Sequence, residues 1–529
     1  MKSKSHSNGL SRRKFLEFLG VGTLGLSINT NYLFAESKNI SFYKGILPSS
    51  QDDVVLAKGL KYDVLIKWGD PISSKDFFGT HNDYLAFIPI NKKEGLLWVN
   101  HESITQKFVT GFNILEKTKK QVDNEIYNVG GSIIKLFYEN EKWNIDKKSN
   151  YNKRITASTK IPFNWDYKIM GETFAKGTLG NCAGGVTPWN TILTCEENYQ
   201  YFYGKETYES GERKIIPGAY QWNNYYNYPP EHYGWVVEVD PFTGNSKKLI
   251  GLGRCAHECA TVSKSKKGNI VVYMGDDATN ECIYKFISES TKNLNKGTLY
   301  VANMETGTWI ALDYYNNKIL KNNFKSQTDL LINLRKAARL VGGTPLDRPE
   351  DIELDPLTGD IFISLTGSSS NNNFYGSILK ITEKNNDYGA KKFSSEVFVT
   401  GGKDTGFACP DNLIFDHKGN LWFTSDISGY YINKDPYVQF KNNGLFVIKR
   451  TGDNIGKIIQ VASAPVDAEF TGPYFSPDNK TLFLSVQHPG QYSKKEKLTS
   501  NWPSGKNGEI PRSAVISISG ELLNNLDKL

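Results

Sequence analysis

Cysteine and histidine are scarce, with 6 and 7 among 529 residues. So few cysteines exclude a disulfide-built scaffold, and the absence of any CxxC pair excludes a zinc ribbon, a thioredoxin-like dithiol and attached haem. The histidines are scattered and form no HExxH, so a histidine-built zinc hydrolase is not encoded. No GxSxG elbow, Walker loop or dinucleotide fingerprint occurs, which removes nucleophilic-serine and nucleotide-cradling chemistry of the common kinds. Helical periodicity is also thin, and the stretch from Leu330 to Leu340 is its best example. No segment beyond the first residues has the ~18 uninterrupted apolar residues that a spanning helix needs.

The chain is instead rich in aromatics (13%), with 47 glycines and 20 prolines, the composition of a turn-rich β protein. Its net charge of +7 is unevenly placed: residues 1–35 carry Lys2, Lys4, Arg12, Arg13 and Lys14 against Glu17, leaving +3 for the rest. So small an excess gives no case for a nucleic-acid partner. Ser11–Leu16 contains a twin arginine followed by a weakly apolar stretch, which reads as an export signal over residues 1–35. The expected mature unit, residues 36–529, is an exported protein without a stable membrane anchor, located in the periplasm or secreted, whose partner is the twin-arginine export machinery. That route carries folded, often cofactor-loaded proteins.

A strand-turn-strand phrase recurs at Ala260–Tyr273, Ile352–Ser364, Leu413–Ser425 and Tyr474–Ser485, and more loosely at Val236–Asn245. Apolar alternation leads into a turn with Asp, Pro, Gly or Asn, and a second apolar strand ends in small polar residues. Asp355, Asp416 and Ser476 hold equivalent turn positions about 60 residues apart. Hairpins recurring at that interval describe a β-propeller with long inserted loops, and dividing the mature length by 60 to 80 gives about six to eight blades. A propeller closes on itself and leaves few free edges, so a monomer is expected.

Aligned on their turns, the repeats place Glu350 five residues before Asp355, Asp411 five before Asp416, and Glu258 five before Ser263. In a propeller such equivalent positions converge on the central axis. Carboxylates gathered there repel one another unless a cation neutralises them, so a metal cluster is expected. Asn181–Gly185 precedes a hairpin of the same kind, which puts Cys182 in the carboxylate's place, and its glycines are expected to let backbone approach a ligand. Oxygen-rich ligands point to calcium, and a thiolate among carboxylates suits a transition metal such as iron. Among the histidines, only His101 and His257 stand among ligand types, in supporting roles. The aromatic stretch Tyr199–Tyr233 is a candidate for shaping a substrate entrance or for plain surface packing.

Trp98–Ser103, Asn181–Trp189 with Thr194–Asn198, Ala256–Glu258, Tyr273–Asp277 with Tyr284–Phe286, Arg348–Asp351 and Cys409–Asn412 occur in this order along most of the mature chain. Together with the twin-arginine start they resemble the PhoX-type alkaline phosphatases. The resemblance implies a six-bladed propeller with a mixed Ca2+ and Fe3+ cluster on its axis, hydrolysing phosphomonoesters to release phosphate. It implies that Cys182 bridges the irons, that Glu197, Glu258, Glu350 and Asp411 are carboxylate ligands, and that Arg348 is the catalytic residue contacting the substrate phosphate. Glu196, Asn100 and Glu281 match motif positions without an assigned role. The alternatives are a calcium-dependent lactonase or phytase-like propeller hydrolase, and a non-enzymatic binding propeller stapled by calcium.

Overall fold

In the computed structural model, residues 41–43, 45–209 and 212–528 are described; the expected export signal lies outside them. Alternating apolar strands pair into six antiparallel blades. Blade one is Asn82–Asn91, Glu94–His101, Gly130–Glu139 and Lys142–Ile145. Blade two is Asn181–Val186, Ile192–Glu196, Val236–Val239 and Ser246–Lys248, and blade three runs from Thr261–Lys264 through Ile270–Gly275, Ile283–Ser288 and Gly297–Asn303 to Thr308–Ala311. Blade four is Pro349–Leu354, Ile361–Leu365, Ser377–Glu383 and Phe393–Thr400, and blade five is Pro410–Phe415, Leu421–Ser425, Gly444–Ile448 and Lys457–Ser463.

The sixth blade closes the ring. Three strands near the end of the chain, Glu469–Phe475, Thr481–Gln487 and Ala514–Gly520, take their outermost partner, Leu60–Lys67, from its beginning. Apolar side chains fill the spaces between blades, for example Ala86, Trp98, Ile192 and Val237 between blades one and two. Among the described residues no helix is long and apolar enough to cross a membrane.

Four of the five sequence repeats are inner hairpins, the first two strands of blades three to six. The looser copy at Val236–Asn245 is instead an outer hairpin of blade two, where no side chain reaches the axis. A second expectation shifts as well. The turn residue equivalent to Asp355 and Asp416 in blade three is Ser265, not Ser263: Ser265 N–H donates to Asn269 O as Asp355 does to Asp360 O and Asp416 to Asn420 O. Glu258 therefore precedes its turn by seven residues, on a longer approach to the same axis. The helical stretch is two helices, Gln327–Ile332 and Leu334–Val341, separated at Asn333, whose ψ of 41° breaks the run.

The turn carboxylates are structural. Asp416 accepts hydrogen bonds from Lys418 N, Asn420 N and the Trp422 indole at 2.9, 3.0 and 2.9 Å, tying the hairpin to a tryptophan with no exposed surface. Trp422→Ala removes a large buried side chain and leaves Asp416 short of a donor, and is expected to cost about 3–5 kcal/mol of unfolding free energy, read from denaturant unfolding.

Candidate metal and phosphate site

One end of the axis holds a narrow cavity lined by nine carboxylates, those of Asp83, Glu102, Glu197, Glu258, Asp277, Glu350, Asp411, Asp426 and Glu469, with Cys182, Asn198 and Arg348. Two layers of backbone supply them. Asp83, Cys182, Glu258, Glu350, Asp411 and Glu469 lie in or just before the innermost strands; Glu102, Glu197, Asp277 and Asp426 follow the second strands of blades one, two, three and five.

A local backbone device recurs in four blades. His81, Gly180, Arg348 and Cys409 take left-handed conformations, with φ of 45°, 63°, 58° and 52°, each two residues before Asp83, Cys182, Glu350 and Asp411. A register shift follows in each strand, after Asn82, Asn181, Pro349 and Pro410. Such bulges re-aim side chains, and here they turn one functional group per blade toward the axis. A left-handed backbone costs a non-glycine residue about 1–3 kcal/mol, so three blades bear strain to hold this geometry. Blade six has Gly472 in its bulge, and Glu469 enters from three residues earlier; a Cβ on Gly472 would lie 2.7 Å from Asp83 O and Leu85 N. The glycines after Cys182 serve packing between blades rather than a ligand, since a Cβ on Gly185 would lie 2.1 Å from Ala260 O in blade three.

The acids are close enough to disturb one another. Burial, and then Glu350, Glu197 and Asp411, hold the Glu258 carboxyl well above the usual range. Burial and like charges likewise raise Asp83, Glu197, Glu350, Asp411 and Glu469, and Glu102 is pushed up to about 7. Burial followed by Asp83, Glu258 and Glu197 pushes the Cys182 thiol up. Asp277 is the exception: burial opposes it, but the Arg348 guanidinium holds its pKa down.

Few hydrogen-bond donors relieve this crowding. Cys182 Sγ lies 3.5 Å from Asp83 Oδ2 and 3.2 Å from Glu258 Oε1. Gln487 donates to Asp83 at 2.8 Å and to Glu102 at 3.2 Å, and Thr366 donates to Glu350 at 2.5 Å. His488 Nε2 lies 3.1 Å from Glu469 Oε1. Asp83 Oδ1 and Glu258 Oε2 are buried with no partner at all. A buried carboxylate oxygen without a donor is costly, and a cation is the group that satisfies several at once.

Two sets of side chains place one ligand atom each within 4.8 Å of the others: Cys182, Glu197 and Glu258, and Glu258, Glu350 and Asp411. The first contains a thiol and suits a transition metal; the second is all oxygen and suits calcium. Glu258 belongs to both. Cys182 is also the one cysteine of the six that is half-buried, the other five being buried.

Arg348 lies across the cavity from a fixed base. Its Nε and Nη2 donate to the two oxygens of Asp277, both at 2.8 Å, and Nη2 lies 2.8 Å from Glu350 Oε1. Nη1 points toward Asp426, at 3.7 Å. A guanidinium held in this way on its Nε and Nη2 side keeps Nη1 oriented for an oxyanion oxygen.

The remaining motif residues lie outside the cavity. Glu196 is fully buried against Lys248 at 2.6 Å and accepts from Gly234 N and Trp235 N, which makes it an anchor of blade two. Asn100 donates to Cys182 O at 2.5 Å and Ala183 O at 3.2 Å while accepting from Trp98 and Thr194, so it fixes the backbone that carries the thiol. Glu281 is paired with Arg335 and Arg339. His101 and His257 bond to Thr80 O and Gly253 O and do not line the cavity.

Sequence reasoning assigned no role to Asp83, Glu102, Asp277, Asp426 or Glu469. Those following second strands repeat in four blades as the residue just past Asn100-His101, Cys195-Glu196, Gly275-Asp276 and Thr424-Ser425, a periodic acid that alignment of the second strands would have exposed.

Known proteins resemble this chain at several levels. A solved structure of Pseudomonas fluorescens PhoX, in complex with vanadate, a transition state analogue, superposes with a TM-score of 0.80 at 28% identity, over 92% of this chain and 99% of that one. A Xanthomonas campestris gluconolactonase aligns at 10% identity over 90% of this chain and 100% of its own, and a Trypanosoma rangeli sialidase at 10% over 90% and 61%, each with a TM-score of 0.37, too distant to carry a conclusion. No curated protein matches the sequence significantly. The family model Alkaline phosphatase PhoX matches residues 41–490. With that match spanning most of the chain, and with a six-bladed propeller gathering acids, a thiol and an arginine on its axis, the protein belongs to the PhoX alkaline phosphatase family.

Proposed function

We propose that this alkaline phosphatase works with a mixed Ca2+ and Fe3+ centre, in which Cys182, Glu197, Glu258, Glu350 and Asp411 are ligands and Arg348 grips the substrate phosphate. The observation that carries the reading is the pair of overlapping ligand sets, one with a thiol and one all carboxylate, around two buried oxygens that no donor satisfies. The family is metal-dependent, and these residues fit such ions. A thiol has little use in an all-calcium site, so Cys182 favours iron beside calcium over a calcium-only lactonase, phytase-like hydrolase or binding propeller.

When bound, the cations supply Lewis-acid stabilisation of the charge on the phosphoryl and leaving oxygens. The chain supplies the rest. Arg348 presents the N–H groups of Nη1 to the phosphate and, held by Asp277 through Nε and Nη2, needs no reorientation as charge accumulates. Asn100 fixes the carbonyls of Cys182 and Ala183, keeping the thiol at its distance from Glu258. Thr366 donates to Glu350 and fixes that carboxylate's orientation. The acids beyond the ligands Glu197, Glu258, Glu350 and Asp411 add negative charge that offsets the cations. In the same reading, residues 36–529 form one propeller unit that acts as a monomer, and residues 1–35 direct its export through the twin-arginine route to the periplasm or medium.

Elemental analysis of the purified protein is expected to show calcium and iron, with hydrolysis of a chromogenic phosphomonoester lost on chelation. Cys182→Ala is expected to lose iron and activity together. A protein without iron, or full activity in the alanine variant, overturns the mixed centre; calcium with lactone turnover alone favours the lactonase. Arg348→Ala is expected to lower kcat/KM by about 10²–10³ and to weaken inhibition by vanadate, which the Pseudomonas enzyme binds. Glu258→Gln relieves repulsion in the metal-free site but removes the ligand common to both sets. It is therefore expected to raise the melting temperature in chelator and to abolish the metal-induced gain, which for the parent is about 2.7 kcal/mol at a hundredfold excess over Kd.

A further inference from the structure

The axial pocket accounts for the phosphate end of a substrate, but a cavity of acids and one arginine offers nothing to the organic group. That group must leave through the rim, and blade two places an insertion there. The segment Tyr199–Tyr233 lies between the second and third strands of the blade, beginning two residues after Glu197. Part of its aromatic content is foundation: Phe202, Tyr203, Trp222 and Tyr233 are 0–1% exposed and pack on one another. Two ion pairs fix it, Arg254 with Glu206 at 2.5 and 3.1 Å and Arg213 with Glu231 at 2.7 Å.

Tyr201 differs from these neighbours, being 45% exposed. It sits in the short helix Gln200–Tyr203, whose first residue donates to Asn198 Oδ1 at 3.2 Å; Asn198 lines the pocket and donates in turn to Glu102 at 3.3 Å. Behind Tyr201 stands Tyr220, at 6.5 Å between ring centres and 70° between planes. Tyr220 N–H donates to Tyr201 O at 2.9 Å, and its hydroxyl bonds Ser103, the neighbour of Glu102, at 2.5 Å. Partial burial raises the Tyr201 phenol, as do Glu197, Glu102 and Asp277, three acids of the pocket. The ring is thus held beside the mouth with one part still in water.

We propose that Tyr201 is a specificity-determining residue, its exposed ring stacking on the planar organic group of aryl and nucleoside phosphomonoesters while the phosphate enters the axial pocket. The proposal rests on the phosphomonoesterase reading above. A ring already fixed by Tyr220 and the buried aromatic base loses little freedom on stacking, and both partners remove apolar faces from water. A polyol phosphate has no such face and gains nothing from it.

The test compares kcat and KM of the metal-loaded parent, Tyr201→Ala and Tyr201→Phe on adenosine 5′-monophosphate and glycerol 2-phosphate. The alanine variant is expected to raise KM for the nucleotide about tenfold and to leave glycerol 2-phosphate within about twofold, with phenylalanine retaining the nucleotide preference. Equal losses on both esters, which a merely structural role produces, or no change on either, overturn the proposal. If the parent hydrolyses neither ester, the phosphomonoesterase reading fails separately, and calorimetric titration with the same two compounds decides the stacking: a nucleotide preference abolished by alanine supports it, and no preference in the parent overturns it.

Discussion

Nine carboxylates face one another across one end of the propeller axis, and a single guanidinium answers them from within. Brought that close in a buried space, they cannot all remain ionised without cations, and the raised pKa values of Glu258, Glu350 and Asp411 express the conflict. The fold maintains the conflict at some expense. Left-handed residues at His81, Arg348 and Cys409, and the bulges that follow them, hold acids in place that would relax apart if the backbone allowed it. In the proposed centre, positive charge entering the pocket relieves that repulsion, which would couple metal binding to stability as well as to catalysis.

The propeller suits this purpose because six separate inner strands end on one axis, and each can contribute a side chain without displacing another. The outer strands and inter-blade cores are free to vary in length, and blade two uses that freedom for its aromatic insertion. Inside the pocket the roles divide. Glu258 belongs to both ligand sets, Asp277 orients Arg348 while its charge also raises Glu197 and Glu350, and Asn100 and Thr366 fix positions without lining the cavity.

Much of this was legible in the sequence. Hairpin phrases ending in Asp or Ser turns exposed the blades, and the fixed spacing to Glu350 and Asp411 exposed the axis, because strand period and turn chemistry are local properties. Ser263 was a misleading landmark, since blade three carries two extra residues between Glu258 and its true turn at Ser265. The left-handed device stayed hidden because His, Gly, Arg and Cys occupy equivalent positions and share a backbone angle rather than a side-chain chemistry. Asp83 and Glu469 escaped notice for a related reason: blade one's hairpin and blade six's glycine bulge disrupt the spacing on which the other acids were found. The function was carried by family motifs, whose order along the chain no single repeat contains.

Crystals of the protein purified without chelator, measured across the iron absorption edge, test the central claim most directly. The account predicts an iron anomalous peak bonded to Cys182 Sγ and the carboxylates of Glu197 and Glu258, with a lighter ion lacking that edge among Glu258, Glu350 and Asp411. No iron on the axis, or iron bound away from Cys182, would contradict it.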